Sequence, residues 1–159
     1  MKSILVRNMD WGELAIVNKI YGESFNEPYP ESVTASLLRL PGAWCQLAID
    51  EKNGVSIGFL IARIIFDEAE ILSVGIVPAA RRQGAAGRLL NAACERAVSL
   101  GALALHLEVG EDNQGAVALY RKMEFRPTGR RPNYYRRANR RRVAAVLMTR
   151  NLPTSNKTK

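Results

Sequence analysis

One stretch of the chain, residues 74–90, constrains the fold more than any other. An apolar run, Val74–Val77, passes through a basic turn that contains Gly84 and then enters a segment whose apolar residues, beginning at Leu89, have helical spacing. A strand that leads through such a turn into a helix leaves free backbone N–H groups at the positive end of the helix dipole. The stretch therefore predicts an anion site that suits a phosphate. An ordinary strand-to-helix turn remains open, because neither Gly-Lys-Ser/Thr nor GxGxxG is present.

Apolar periodicity predicts the element order β-α-α-β-β-β-α-β-α-β along the chain. Three of the strands follow one another through tight turns, which indicates an antiparallel meander. The helix after residue 84 is a crossover, so the strands on either side of it should be parallel. The predicted class is a single-domain α/β fold with a mixed, mostly antiparallel sheet flanked by helices. Its strands are expected at Ile4–Arg7, Trp44–Ile49, Ser56–Phe66, Glu70–Val77, Leu103–Val109 and Val143–Thr149.

Length and composition fit one hydrophobic core. The chain has 159 residues, of which 47% are hydrophobic and 24% charged, so we expect one domain over residues 1–152 and a disordered tail over 153–159. Its apolar runs are too short to span a bilayer. Cys45 and Cys94 lack metal-ligand or disulfide spacing, so reduced cysteines, no metal site and a cytoplasmic protein without membrane contact are expected.

The positive charge is concentrated in one segment. Residues Arg121–Arg150 hold eleven Lys/Arg against one acid, Glu124, whereas the rest of the chain has twelve Lys/Arg and fourteen Asp/Glu. A basic face of this density attracts polyanions such as nucleic acid, an acidic peptide or a phosphorylated cofactor. A solvated face that only keeps the protein soluble is the alternative.

The spacing Arg81-x-x-Gly84-x-Ala86 resembles the acyl-CoA-binding motif of the GCN5-related N-acetyltransferase superfamily. Leu105-His106-Leu107-Glu108-Val109, followed by Asn113, Ala118-Leu119-Tyr120 and Phe125, is similar to the next motif block of that superfamily. Asn133-Tyr134-Tyr135 resembles a signature of the branch that acetylates the N-terminal alanine of a small-subunit ribosomal protein. The resemblance covers about residues 4–152.

The resemblance implies acetyl-CoA as a co-substrate. Its pantetheine would lie between splayed, parallel fourth and fifth strands, and its pyrophosphate on the amides of the basic turn. Gly75 has no side chain, which we expect to ease the approach of the pantetheine to the backbone. The residues implied in binding acetyl-CoA are Val74, Gly75, Ile76, Arg81, Arg82, Gln83, Gly84, Ala85, Ala86, Gly87 and Asn113. Asn113 also suits a helix N-cap.

Glu108 is the predicted general base. It alternates with the leucines of its strand, so its carboxylate leaves the leucine face near the end of the strand. Partial desolvation would strengthen that carboxylate as a base. A salt bridge to one of the many arginines is the alternative. Tyr120, two helical turns after Asn113, is the predicted general acid, with core packing as its alternative, and His106 is predicted to be a packed or hydrogen-bonded residue.

The resemblance implies that Tyr29 and the pair Tyr134 and Tyr135, placed on a loop before the last strand, hold the acceptor. The acceptor is expected to be a protein N-terminus, foremost the alanine of a ribosomal protein. Another protein N-terminus or a small amine is an alternative, and a ribosome- or RNA-associated binding module with vestigial catalysis is another. The basic segment is expected to recruit an acceptor with acidic residues near its terminus, or else nucleic acid. Tyr29-Pro30 and Ala144 depart from the branch pattern, and Ala144 removes a carboxylate that could order the basic loop.

Overall fold

The computed structural model describes residues 3–25 and 31–154, which form one mixed sheet flanked by helices on both faces. Within these residues the sheet has the strand order β1-β2-β3-β4-β5-β7-β6. The strands are β1 (Ile4–Asn8), β2 (Ala43–Asp50), β3 (Val55–Ile65), β4 (Glu68–Ile76), β5 (Ala104–Gly110), β6 (Arg126–Arg136) and β7 (Arg142–Asn151). The helices are α1 (Leu14–Phe25), α2 (Glu31–Leu38), α3 (Ala85–Ser99) and α4 (Gln114–Lys122).

Each face of the sheet has its own apolar core. Leu89 and Leu90 of α3 pack with Leu105 and Leu107 of β5 in the larger cluster. On the opposite face, α1 packs on the central strands through a second cluster that includes Val17, Ile20, Leu47, Phe59 and Ile61. Burial of a side chain of this size contributes about 1.5–3 kcal/mol. The strands between the two clusters are therefore held from both faces.

The predicted fold is confirmed. Neighbouring strands are antiparallel except for β4 and β5, which are parallel as the crossover helix α3 requires. Every predicted strand lies within two residues of its observed bounds. At the head of a short 3₁₀ turn that leads into α1, the Glu13 carboxylate accepts the Asp10 N–H at 3.0 Å.

The loop predicted before the last strand is wrong. Tyr134 and Tyr135 lie in β6, a strand that the sequence did not indicate because Pro127, Gly129 and Pro132 interrupt it. β6 pairs with β7 alone and forms the edge of the sheet. Proline is tolerated on an edge strand, where its missing N–H would face solvent. Two irregularities in the register with β7, at residues 127–129 and 131–135, accommodate the prolines and the glycine.

Two sequence predictions fall on residues that the structure does not describe. Tyr29 lies in the gap between α1 and α2, and most of the expected tail follows residue 154. No helix in the described part of the chain combines the length and the apolar composition needed to cross a membrane.

Candidate active site

The parallel strands β4 and β5 separate soon after they meet. Their ladder has only three pairs, Glu68 with Ala104, Ala69 with Leu105 and Glu70 with His106. β4 then carries a bulge at residue 72, because Ile61 and Ala62 of β3 pair with Ser73 and Ile71. A bulge bends its strand and increases the local twist, which turns β4 away from β5. The result is a wedge in the middle of the sheet, bordered by residues 71–76 and 107–110.

Backbone groups that point into this wedge have no ladder partner on the facing strand. β4 remains paired with β3, and β5 with β7, so only the edges that face each other are free. A chain with amides of its own, such as pantetheine, can satisfy such edges as an added strand would. The wedge therefore suits the pantetheine chain of acetyl-CoA.

The turn from β4 to α3 has the geometry of an anion site. Arg82 and Gly84 have positive φ angles of 61° and 90°. The first backbone bond of α3 runs from Arg88 N to the Gly84 carbonyl at 3.1 Å, so the N–H groups of residues 85–87 have no acceptor within the helix. A Cβ built on Gly84 would have no atom within 4 Å. The space beside this backbone is open to a ligand.

Arg81 holds the turn against the rest of the fold. Its Nη2 donates to the Ser24 carbonyl at the end of α1 at 2.7 Å, and its Nε donates to the Ile76 carbonyl of β4 at 3.3 Å. The guanidinium therefore ties the end of β4 to α1. These two carbonyls are the hydrogen-bond partners of the Arg81 side chain in this structure.

The expectation that the missing Gly75 side chain eases the approach of pantetheine is wrong. Gly75 is buried, and a Cβ there would lie 2.8 Å from the Phe59 ring and 3.0 Å from Ser24 Oγ. The missing side chain makes room for α1 and β3, not for a pantetheine in the wedge. Gly75 still lies in the stretch of β4 that β5 does not pair with.

A groove of about 520 Å³ opens beside the wedge on the face of β5 that carries Glu108. β4 forms one wall with Glu70, Ile71 and Leu72, and the β6–β7 hairpin forms the other. The predicted residues Glu108, Tyr134 and Tyr135 are brought together here, along with Thr128, Arg131, Leu147, Met148 and Thr149. The two tyrosine rings pack edge to face with centroids 5.2 Å apart.

Glu108 forms an ion pair in this groove. Arg131 Nη2 lies 3.2 Å from Glu108 Oε1, and 29% of the glutamate side chain is exposed. The salt bridge that the sequence left open is therefore present, and its partner is Arg131. The carboxylate remains accessible from the groove.

Tyr120 is buried in the larger core cluster, packed edge to face against Phe125 with centroids 5.9 Å apart. Burial, with a smaller contribution from Tyr135, raises the pKa of Tyr120 to about 12. The phenol keeps its proton throughout the neutral range. Asn113, at the head of the same helix, accepts the Ala116 N–H at 3.2 Å through its side chain, as the N-cap prediction requires.

His106 stands two residues before Glu108 on the same face of β5. Its Nδ1 lies 2.8 Å from Thr149 Oγ1, which in turn lies 2.9 Å from Thr128 Oγ1. Its Nε2 lies 3.5 Å from a Glu68 carboxylate oxygen. The histidine is hydrogen-bonded as predicted, but it lines the groove instead of packing into the core.

Sequence reasoning missed the carboxylates that order the basic hairpin. Arg137 forms two hydrogen bonds to Asp112, of 2.6 and 2.9 Å, and Arg130 pairs with Glu111 at 2.9 Å. The two acids follow β5, so they supply from another element the negative charge that Ala144 does not provide. The adjacent acids Glu111 and Asp112 are visible in the sequence. Their arginine partners could not be chosen from it, because they are distant along the chain.

The sheet with its central wedge, the basic turn and the groove define an acetyl-CoA-dependent N-acetyltransferase. Residues 14–125 match the model of the acetyltransferase (GNAT) family, and the chain belongs to that family. Acetyl-CoA is the co-substrate of the family. Among the described residues, no group of three His, Cys, Asp or Glu side chains is placed to hold a metal ion.

Relatives with more specific names resemble this chain. A Bacillus subtilis protein, provisionally named a ribosomal protein bS18-alanine N-acetyltransferase, is 34% identical over 82% of this chain and 85% of its own length. The Escherichia coli enzyme of that name is 31% identical over 60% of this chain and 65% of its own length. The crystal structure of an Escherichia coli ribosomal-protein-S18-alanine N-acetyltransferase superposes with a TM-score of 0.87 at 24% identity, covering 99% of both chains.

Proposed function

We propose that this enzyme acetylates the α-amino group of a protein N-terminus, and that its foremost acceptor is a ribosomal protein that begins with alanine. The observation that carries the proposal is the groove, which joins the wedge at Glu108 and is bordered by Tyr134 and Tyr135. A peptide can lie there with its amino group toward the wedge. The names of the relatives support the choice of a ribosomal acceptor.

The donor binds across the wedge and the basic turn. The stretch of β4 that β5 leaves unpaired, at Val74, Gly75 and Ile76, holds the pantetheine, and the amides of residues 82–87 hold the pyrophosphate. Asn113 contributes from the head of α4. When bound, acetyl-CoA supplies an activated thioester carbonyl and a thiolate leaving group.

Glu108 removes the proton from the acceptor. An N-terminal ammonium has a pKa of about 7.7–8.0, so a carboxylate can accept its proton directly or through one water molecule. Arg131 holds the carboxylate at 3.2 Å in the groove. The neutral amine then attacks the thioester carbonyl.

Tyr120 protonates the leaving sulfur. A phenol with a pKa of about 12 is fully protonated at neutral pH and can give its proton to a thiolate as the C–S bond breaks. The buried position of Tyr120 keeps bulk water from competing with it. The acetyl group passes directly to the amine, with CoA thiol and the N-acetylated peptide as products.

A covalent relay through cysteine is disfavoured by burial. Both cysteines of the chain are buried, and burial raises the pKa of the Cys45 thiol to about 12 and that of Cys94 above its usual range. A nucleophilic cysteine needs an accessible thiolate. Direct transfer therefore fits the side chains that are available.

Mass spectrometry of peptide acetylation tests the proposal. The enzyme is incubated with acetyl-CoA and three matched peptides: one that begins with alanine, the same peptide with a blocked α-amino group and an internal lysine, and one that begins with a bulky residue. We expect acetylation of the first at its α-amino group. Equal acetylation of the blocked peptide on lysine, or of a polyamine offered in its place, would contradict the proposal.

A further inference from the structure

The tip of the β6–β7 hairpin projects beyond the sheet. β5 ends at Gly110, which lies opposite Ala145, so past this point β7 pairs with β6 alone. Residues 135–143 therefore form a two-stranded ribbon, closed by a hydrogen bond of 2.8 Å from Arg137 N to the Arg141 carbonyl. We call these residues the arginine ribbon because they include five arginines and no lysine or acid: Arg136, Arg137, Arg140, Arg141 and Arg142.

Two of these arginines anchor the ribbon. Arg137 makes a bidentate contact with Asp112, and Arg141 lies 3.9 Å from the same carboxylate. Arg137 also lies over the Tyr135 ring, 5.2 Å from its centroid. These contacts tie the base of the ribbon to the loop that follows β5.

The other three arginines have no carboxylate partner among the residues that the structure describes. Arg136, Arg140 and Arg142 are all exposed. The Arg142 guanidinium donates to the Asn133 carbonyl over a long distance, 3.5 Å. Arg136 and Arg142 are directly opposite each other across the ribbon. Like charges in opposite positions of an antiparallel pair destabilise it, and a bound anion would remove that repulsion.

The groove does not share this free positive charge. Arg131, the arginine that lines the groove, forms an ion pair with Glu108. On the opposite wall, the Glu70 carboxylate forms an ion pair with Arg63 at 2.7 Å. An acidic peptide in the groove would meet no unpaired arginine among these residues. The recruitment of acidic acceptors expected from the sequence would have to depend on the projecting tip instead.

We propose that the arginine ribbon binds the phosphate backbone of a double-stranded nucleic acid. A narrow two-stranded ribbon with cations on both strands and at its turn fits between two rows of phosphates, where a peptide would need a concave surface. The guanidinium fork matches phosphate oxygens in a bidentate manner. This site goes beyond acetyl transfer and does not depend on the identity of the acceptor.

Fluorescence anisotropy with the full chain tests the proposal. The probes are an end-labelled RNA duplex and a DNA duplex of the same sequence, titrated at several salt concentrations between about 50 and 200 mM. The ribbon variant is Arg136→Gln/Arg140→Gln/Arg142→Gln. The matched control, Arg39→Gln/Lys52→Gln/Arg96→Gln, removes the same charge from exposed positions elsewhere.

We expect the ribbon variant to bind at least about tenfold more weakly at low salt and to lower the salt slope by about 2–3, since each lost phosphate contact contributes about 0.7–0.9. The control should retain the slope. Comparison of the two probes assigns the site to RNA, to DNA or to both. Melting curves and acetylation of a short peptide should match wild type for both variants, which separates loss of binding from loss of fold or of catalysis.

Two outcomes would overturn the proposal. Equal weakening in the ribbon variant and the control would mean that net charge alone is responsible. Retained binding to both duplexes in the ribbon variant would mean that the arginine ribbon is not the nucleic-acid site.

Discussion

At the scale of single residues, Glu108 has both a proposed chemical role and a structural partner, and two substitutions separate them. Glu108→Gln should lower turnover by about 10²–10⁴-fold while acetyl-CoA affinity stays near wild type, because the variant cannot accept a proton. The deficit should shrink above about pH 8, where the acceptor amine is already neutral. Steady-state rates from pH 6 to 10 measure this.

Arg131→Gln is the matched control, because it breaks the same ion pair but leaves the carboxylate. It should retain far more activity than Glu108→Gln. If both variants lose activity equally at all pH values, the ion pair and not proton transfer is what the reaction requires.

The buried phenol of Tyr120 gives a prediction about stability as well as rate. Tyr120→Phe should slow turnover by about 10²-fold or more without weakening acetyl-CoA binding. The pKa of Tyr120 is about 12 in the fold and about 10 in an unfolded chain. Unfolding therefore releases a proton between pH 10 and pH 12, and the free energy of unfolding falls as pH rises through that window. The melting temperature should decline more steeply in wild type than in the variant above pH 10.

Substitutions at two glycines should affect different properties: CoA binding at Gly84 and core packing at Gly75. Gly84→Val should impair CoA binding, because φ is +90° and a branched side chain would occupy the open space beside the turn. Gly75→Ala should instead lower the melting temperature, since its Cβ would lie 2.8 Å from Phe59. Calorimetry and thermal melting measure both effects. A folded Gly84→Val variant with unchanged CoA affinity would remove the pyrophosphate from this turn.

At the scale of elements, the link between Asp112 and Arg137 should position the hairpin that borders the groove. A surface ion pair contributes only about 0–1 kcal/mol to stability, so Asp112→Asn should leave melting almost unchanged. It should raise the KM for the acceptor peptide several-fold and change kcat little, because Tyr135 would lose its neighbouring support. Arg137 lowers the pKa of Asp112 below its usual range, so this effect should be constant from neutral pH down to about pH 5.

A double-mutant cycle checks that link. Arg137→Gln should give the same increase in KM as Asp112→Asn, and the double variant should be no worse than either. Additive effects would mean that the two residues act separately. Glu111→Gln breaks the neighbouring pair with Arg130 and serves as the control.

Elements with strong periodicity were predictable, and the edge strand was not. Helix α3 and strands β2–β5 follow from apolar spacing and tight turns, because burial on one or two faces dictates their pattern. β6 is exposed at ten of its eleven positions, so no apolar alternation marks it, and its prolines indicate a loop. At the site, alternation placed Glu108 on the groove face. The alternation could not identify Arg131 as the partner of Glu108, because this ion pair depends on how the β6–β7 hairpin packs beside β5.

At the scale of the whole molecule, the sheet consists of two parts joined at a short ladder. β1–β4 form one part, and β5, β7 and β6 form the other. Three residue pairs connect them, and the core formed by α3 and α4 lies beneath both. The proposed donor site and the groove both lie where the two parts diverge. The bulge in β4 therefore opens the wedge. A ligand bound in the wedge would contact both parts of the sheet.

This architecture predicts how CoA should change the protein. A ligand that spans the wedge and binds only the folded state adds about 2.7 kcal/mol of stability at 100 times its Kd, which corresponds to roughly 5–11 °C in melting temperature. Hydrogen exchange should show where that stability arises. CoA should slow exchange at residues 71–76, 107–110 and 82–87, because its pantetheine pairs with the strand edges and its pyrophosphate with the turn. The adenosine bisphosphate fragment of CoA, which lacks pantetheine, should protect the turn alone. If CoA protects the turn and leaves both strand edges unchanged, the pantetheine does not occupy the wedge, and the position of the acetyl group beside Glu108 would have to be reconsidered.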